Sequence, residues 1–363
     1  MFSFSGGRSF GGGSLRNRSS AISRGLYRGF LIIGFPVVAL GVFYLVEPVG
    51  FRNVVFQPAR EILFLVKELR LFSHWDKIGV IEIPPGNRVV ISSTDGNDVR
   101  MVADFRVPQN PSRAPAILLL HGSSPWGRKN GLIQYLSYRL ANDGWIVLAP
   151  DQRGFGDTDD PKVVDDPAAW DNKGDVGKCI DYLLSNPLVD RSRIYILGHS
   201  MGAGHALEAA LGNDKVRGLI LIGPPRYLEG NGQEKITPWM RTRFSAERGL
   251  GKPVATHLIA TLAKEIDIAE MFEIARSRPG HKPILLIDGE TEGMAARDFL
   301  AKVTDGRGSH LTHVTLPGTG HYVGVYNLFG SRRVYYRPDL FDSFMKVFNE
   351  FTGDIPSSRE RNG

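Results

Sequence analysis

The hydrophobic pattern changes character three times along the chain. Residues 1–25 carry few large apolar side chains and are rich in Gly, Ser and Arg, which predicts a disordered, positively charged tail. From Gly29 to Val46 no charge interrupts an apolar run. As a helix at about 1.5 Å per residue it reaches about 27 Å, close to the roughly 30 Å of a bilayer core. Pro36 lies inside it and is tolerated by membrane helices. Gln57 to Phe72 then shows helical periodicity, with Pro58 at its start and Ile62, Leu65, Val66, Leu69 and Phe72 on one face.

From Lys77 the pattern becomes that of a mixed α/β chain. Val89 to Ser92 and Met101 to Val107 read as strands joined around Asp95-Gly96. Apolar runs follow at Ala116 to Leu120, Trp145 to Ala149, Ile194 to Leu197, Leu219 to Ile222 and Pro283 to Ile287. Such uninterrupted runs suit strands covered on both faces. Helical stretches separate them at Leu132 to Asn142, Gly174 to Ser185 and Ala203 to Leu211, and Asp339 to Phe351 closes the series. Strand–helix alternation predicts a mostly parallel sheet with helices on both faces. Pro224 to Lys282 breaks the rhythm and contains a helical stretch, Thr256 to Arg276. This predicts a helical cap over the carboxyl ends of the strands.

The organisation expected is a tail at 1–25, a transmembrane anchor at 26–46, a juxtamembrane amphipathic segment at 47–76, and one domain at 77–355 with its cap at about 224–282. A cleaved signal peptide and a buried core helix are the rivals for the apolar run. No small-x-small cleavage site follows it and Glu47-Pro48 comes at once, which favours an anchor. For Gln57 to Phe72, packing on the domain is favoured over lying on the membrane surface.

Charge sharpens this picture. The net charge is +6, but Arg8, Arg16, Arg18, Arg24 and Arg28 all precede the first acidic residue, Glu47. Without them the body is close to neutral, which argues against nucleic acid as a partner. The same arginines put the N-terminus in the cytoplasm and the domain on the far side of the membrane. The single cysteine, Cys179, excludes an internal disulfide and lies in the apolar pattern of a helix.

The chemistry is concentrated at strand ends. Gly198-His199-Ser200-Met201-Gly202 follows the strand Ile194 to Leu197 and opens a helix. A serine at a sharp strand-to-helix turn is lifted above the sheet, and the next amide, Met201, points at the same spot. At this point the chain resembles the α/β-hydrolases, over roughly Lys77 to Phe351. His121-Gly122-Ser123-Ser124 is similar to the family's His-Gly oxyanion loop. That implies the Ser123 amide as second oxyanion donor and a structural His121. Asp151-Gln152-Arg153-Gly154-Phe155-Gly156 resembles the family's Asp-x-Arg-Gly-x-Gly segment, read as a loop scaffold. Leu316-Pro317-Gly318-Thr319-Gly320-His321 fits the turn that carries the family's histidine, so His321 is the expected base.

For the acid two carboxylates compete beyond the strand Pro283 to Ile287. Gly289-Glu290-Thr291-Glu292 matches the family's spacing and favours Glu292. Asp288, nearer the strand, is the alternative, expected instead to bond backbone amides of the turn. The expected function is a serine hydrolase that acts on a small acyl substrate, a carboxylic ester, thioester or lactone, through an acyl-enzyme on Ser200. Serine aminopeptidase-like and dienelactone-hydrolase-like members are similar in pattern. The dienelactone type usually has a cysteine nucleophile, from which Ser200 departs. A catalytically idle, membrane-tethered interaction protein is the reading from another class. No cofactor and no metal are expected: His199, His205 and His313 lack ligand spacing, and Gly202-Ala203-Gly204 is not a dinucleotide fingerprint.

Overall fold

The computed structural model describes residues 62–63, 65–69, 74–93, 98–109, 113–163, 166–210, 213–224, 282–292 and 311–353. The basic tail, the anchor, the Asp95-Gly96 turn and nearly all of the cap lie outside them. Among the described residues no helix is long and apolar enough to cross a membrane.

Eleven strands and four α-helices order the described chain: β1 (Gly79–Glu82), β2 (Asn87–Ser92), β3 (Arg100–Arg106), β4 (Ala114–Leu120), α1 (Gly131–Asn142), β5 (Ile146–Pro150), α2 (Asn172–Ser185), β6 (Val189–His199), α3 (Met201–Ala210), β7 (Gly218–Ile222), β8 (Ile284–Gly289), β9 (Leu311–Leu316), β10 (Val325–Asn327), β11 (Arg333–Tyr336) and α4 (Pro338–Thr352). Eight strands form one sheet in the order β2-β3-β5-β4-β6-β7-β8-β9. From β5 to β9 all pairings are parallel, and β3 runs antiparallel to both β2 and β5.

The apolar runs explain this sheet. Side chains alternate across a strand, so each run feeds two cores. Leu118, Leu120, Ile196 and Leu221 face α2 and α3, which contribute Val176, Ile180, Ala203 and Leu207. Ile117, Leu119, Leu197 and Ile220 face α1 and α4, which contribute Leu132, Leu136, Phe341, Phe344 and Phe348. The three phenylalanines recur at helical spacing and are fully buried. Replacing one by Ala costs about 3–5 kcal/mol. Cys179 is buried on α2, as its pattern predicts, and burial pushes its thiol pKa up.

Three strands form a second sheet in the order β1-β11-β10, with antiparallel pairings. It lies on the α1 side, where Tyr135 stacks on Tyr336 at 4.6 Å. Neither this sheet nor β9 is foreshadowed by an apolar run, because β1, β10 and β11 are short and β9 alternates half-buried with exposed positions at the sheet edge. The compact unit begins at Glu61, upstream of the Lys77 boundary expected from the pattern. Residues 65–68 are helical and Leu69 is fully buried. Ile62, expected on the same buried face, is 51% exposed.

Candidate active site

The order of strands decides where a ligand pocket opens. From β4 the chain moves outward to β5, then returns to the other side of β4 as β6. Connections therefore leave β4 and β6 in opposite directions, and a crevice forms beyond their carboxyl ends. Leu120, the last residue of β4, is paired with Gly198 of β6. The His121 loop and the Ser200 turn thus emerge side by side.

Ser200 sits between β6 and α3 with φ of 52°, in the left-handed region that a side chain rarely adopts. Strain of this kind survives only where the surroundings over-determine it. They do so here: the Ser200 amide donates to the Ile222 carbonyl at 2.8 Å, and the Ser200 carbonyl accepts from the Ala203 amide at 2.9 Å. The flanking glycines are required by contact. A Cβ on Gly198 would lie 2.3 Å from the Gly202 carbonyl oxygen, and one on Gly202 would lie 2.5 Å from that of Leu120. The helix start is thereby pressed onto the end of β4. Met201 opens α3 and is buried with Phe155.

The His121 loop lies against Ser200: a Cβ on Gly122 would stand 2.9 Å from the Ser200 Cβ. Ser123 follows directly and is half-buried. His121 is fully buried and holds this loop, as expected of a structural residue. Its Nε2 accepts from the Gln152 amide at 2.9 Å, so Nδ1 carries the proton and donates to the Gly122 carbonyl at 2.7 Å. Gln152 also donates to the His121 carbonyl and accepts from His205 on α3. Of its neighbours, Arg153 is locked onto Asp175 at 2.8 and 2.7 Å, and Asp151 accepts from Arg128. The Asp151 to Gly156 segment is therefore a scaffold.

His321 lies in the loop between β9 and β10 and is half-buried, as is Ser200. His199, the residue before Ser200, reaches this loop. Its Nε2 donates to the His321 carbonyl at 2.9 Å, and the two rings lie 4.6 Å apart. Burial, reinforced by the proximity of His321, pushes the His199 pKa well below 6.5, so His199 is neutral. The structure thus brings the neighbourhoods of Ser200, Ser123, Met201 and His321 together.

The loop after β8 joins them. Glu290 accepts from the Gly318 amide at 2.8 Å, and Thr291 donates from its amide and its hydroxyl to the Thr319 carbonyl at 3.1 and 3.0 Å. Glu292 closes the same short 3-10 turn, and its side chain lies outside the described part. Asp288 is the penultimate residue of β8. It is 2% exposed and accepts from His313 Nε2 at 2.8 Å and Thr315 Oγ1 at 2.9 Å, both on β9. The cause is register: Asp288 is paired with Thr315, which turns the carboxylate toward the neighbouring strand.

The sequence reading missed two residues at the site. His199 occupies the variable position of the serine motif, where composition carries no signal. Glu68 belongs to the helical turn 65–68, 3% exposed, and accepts from the amides of His321 and Tyr322, each at 3.2 Å. Its one legible sign was an acidic residue between Leu65 and Leu69, at the spacing of the buried face.

Comparison with known proteins agrees with this geometry. Residues 117–333 match the alpha/beta hydrolase family. Among curated proteins the chain is similar to the esterase EstD of Thermotoga maritima, at 31% identity over 124 residues, 33% of this chain and 29% of EstD. It is also similar to the quorum-quenching protein AidA of Acinetobacter baumannii, at 28% identity over 205 residues, 56% of this chain and 60% of AidA. The chain thus spans well under the full length of the curated relatives it matches. Among solved structures it resembles Est1E of Butyrivibrio proteoclasticus with ferulic acid bound. The TM-score there is 0.50 at 17% identity, covering 72% of this chain and 98% of Est1E. That likeness speaks to the fold.

Proposed function

Because the chain belongs to the alpha/beta hydrolase family, we propose that it is a membrane-anchored serine hydrolase that cleaves a carboxylic ester, thioester or lactone through an acyl-enzyme on Ser200. The observation that carries this reading is the strained Ser200 turn, with φ of 52°, enclosed by Gly122 on one side and by the His199–His321 contact on the other. Nothing in a structural strand–helix junction requires a strained serine next to a histidine loop.

In this mechanism the Ser200 hydroxyl attacks the acyl carbonyl while His321 takes its proton. The amides of Ser123 and Met201 stabilise the oxyanion. One such donor is worth about 3 kcal/mol in other hydrolases. The bond to the leaving group breaks, and His321 returns the proton to the departing oxygen or sulfur. Water then attacks the acyl-enzyme by the same route and frees Ser200. Glu292 orients His321 and stabilises its charged form. The esterase name of one relative supports an ester over a peptide bond. The span at 26–46 tethers the enzyme, and the arginines before it favour an extracytoplasmic domain.

The test is labelling of the full chain with an alkyl fluorophosphonate, followed by mapping of the modified residue and a screen of acyl esters beside aminoacyl amides. Modification of Ser200 with ester turnover is expected. A folded protein that takes up no probe overturns the reading, and turnover of amides alone replaces the ester by a peptide substrate.

A further inference from the structure

A buried carboxylate is costly unless its oxygens are satisfied. Glu68 is 3% exposed, yet it lies on the turn that leads into the domain and outside the family match at 117–333. Its two oxygens are spent on one loop. Oε1 accepts from the His321 amide and Oε2 from the Tyr322 amide, each at 3.2 Å. Residue 320 is a glycine, and a Cβ there would lie 2.5 Å from Glu68 Oε2, so the carboxylate fits against the loop only because that side chain is missing.

The peptide groups on both sides of the His321 α-carbon are therefore pinned. Its amide is held by Glu68, and its carbonyl by His199. The far end of the loop is closed by the Arg337 amide on the Gly324 carbonyl at 2.9 Å. Arg337 also reaches back to the Leu69 carbonyl at 3.4 Å and is itself held by Asp339. The turn 65–69 and the histidine loop thus brace each other at two points. The charged and titratable groups around Glu68 among the described residues are Lys67 beside it, His321 in the loop and Arg337 behind Leu69.

We propose that Glu68 is a positioning residue for His321, supplied by the turn 65–69 upstream of the family match, and that it sets the reach of the base to Ser200. This rests on the reading of Ser200 and His321 as nucleophile and base. It makes the N-terminal segment part of the working site: a domain started at Lys77 lacks the carboxylate. The side chain touches no reacting atom, so its contribution falls on the proton transfer and leaves substrate affinity alone.

The experiment compares full-length wild type with Glu68→Asp, Glu68→Gln and Glu68→Ala, using the rate constant and the dissociation constant for fluorophosphonate inactivation well below each Tm. Gln keeps one acceptor oxygen and turns an amide group toward the second N–H; Ala leaves both amides unpaired. The inactivation rate constant is expected to fall roughly ten-fold in Glu68→Gln and further in Glu68→Ala, at unchanged dissociation constant, with Glu68→Asp between wild type and Gln. Glu68→Asp carries the measurement if the other two do not fold. A lowered Tm with a wild-type inactivation rate overturns the proposal and leaves Glu68 a structural residue. A wild type that is not modified at Ser200 overturns the hydrolase reading, and this proposal with it. Labelled wild type with indifferent variants overturns this proposal alone.

Discussion

His199 Nε2 donates to the main-chain carbonyl of His321 at 2.9 Å, so the residue next to the proposed nucleophile holds the residue proposed as its base. The bond crosses from β6 to the loop after β9, two elements 122 positions apart in the chain. It fixes the tautomer of His199 with a proton on Nε2, and burial keeps that ring neutral.

The burial of His199 makes stability depend on acidity. Below the ordinary value of 6.5, the unfolded chain takes up a proton at His199 that the folded chain refuses. Stability therefore falls as pH drops from about 6.5, by up to about 1.4 kcal/mol per pH unit from this one group. Thermal melts between pH 7.5 and 5 should show a steeper loss for wild type than for His199→Gln, which has no proton to take up. Equal slopes would mean that His199 titrates normally.

Ser200→Ala should leave the fold intact and lower ester turnover by roughly 10⁴–10⁶-fold, with no fluorophosphonate uptake. Substantial turnover by the folded variant would remove Ser200 from the mechanism.

The two carboxylates beyond β8 should separate. Glu292→Gln is expected to keep the Tm and lower turnover by ~10³–10⁴. Asp288→Asn keeps one acceptor oxygen for His313 and Thr315 but removes the charge, so it should cost some stability and leave turnover within about ten-fold of wild type. The opposite ranking at equal Tm would reassign the acid to Asp288.

Glycines differ sharply by place. Gly202→Ala would put a methyl group 2.5 and 2.6 Å from the carbonyl oxygens of Leu120 and His121, so it should abolish labelling or folding. Gly177 on α2 has nothing within 4 Å of such a methyl, and Gly177→Ala should raise stability by about 1 kcal/mol. Calorimetry on both variants checks the pair, and a neutral Gly202→Ala would contradict the packing of α3 on β4.

The arginine asymmetry around the apolar span sets an expected topology. In sealed right-side-out vesicles or spheroplasts, added protease should digest the domain from outside. A protected domain would place it in the cytoplasm.

Taken alone, the sequence determined what depends on local pattern. Runs such as Ala116 to Leu120 and Leu219 to Ile222 suit strands covered on both faces, and Phe341, Phe344 and Phe348 share one side of a helix. The strand, serine turn and helix at 194–210 were legible for the same reason, since each lies within a few neighbouring residues. Tertiary structure decided what depends on register and distant contact. Asp288 turns to β9 because it is paired with Thr315, a relation between two strands that no spacing encodes. The turn 65–69 presents Glu68 to a loop 253 residues away, and it leaves Ile62 in solvent although periodicity put it on the buried face. A helix pattern says which residues share a face. Only the packing of the domain says which end of that face is covered, and whether a carboxylate on it meets water or two backbone amides.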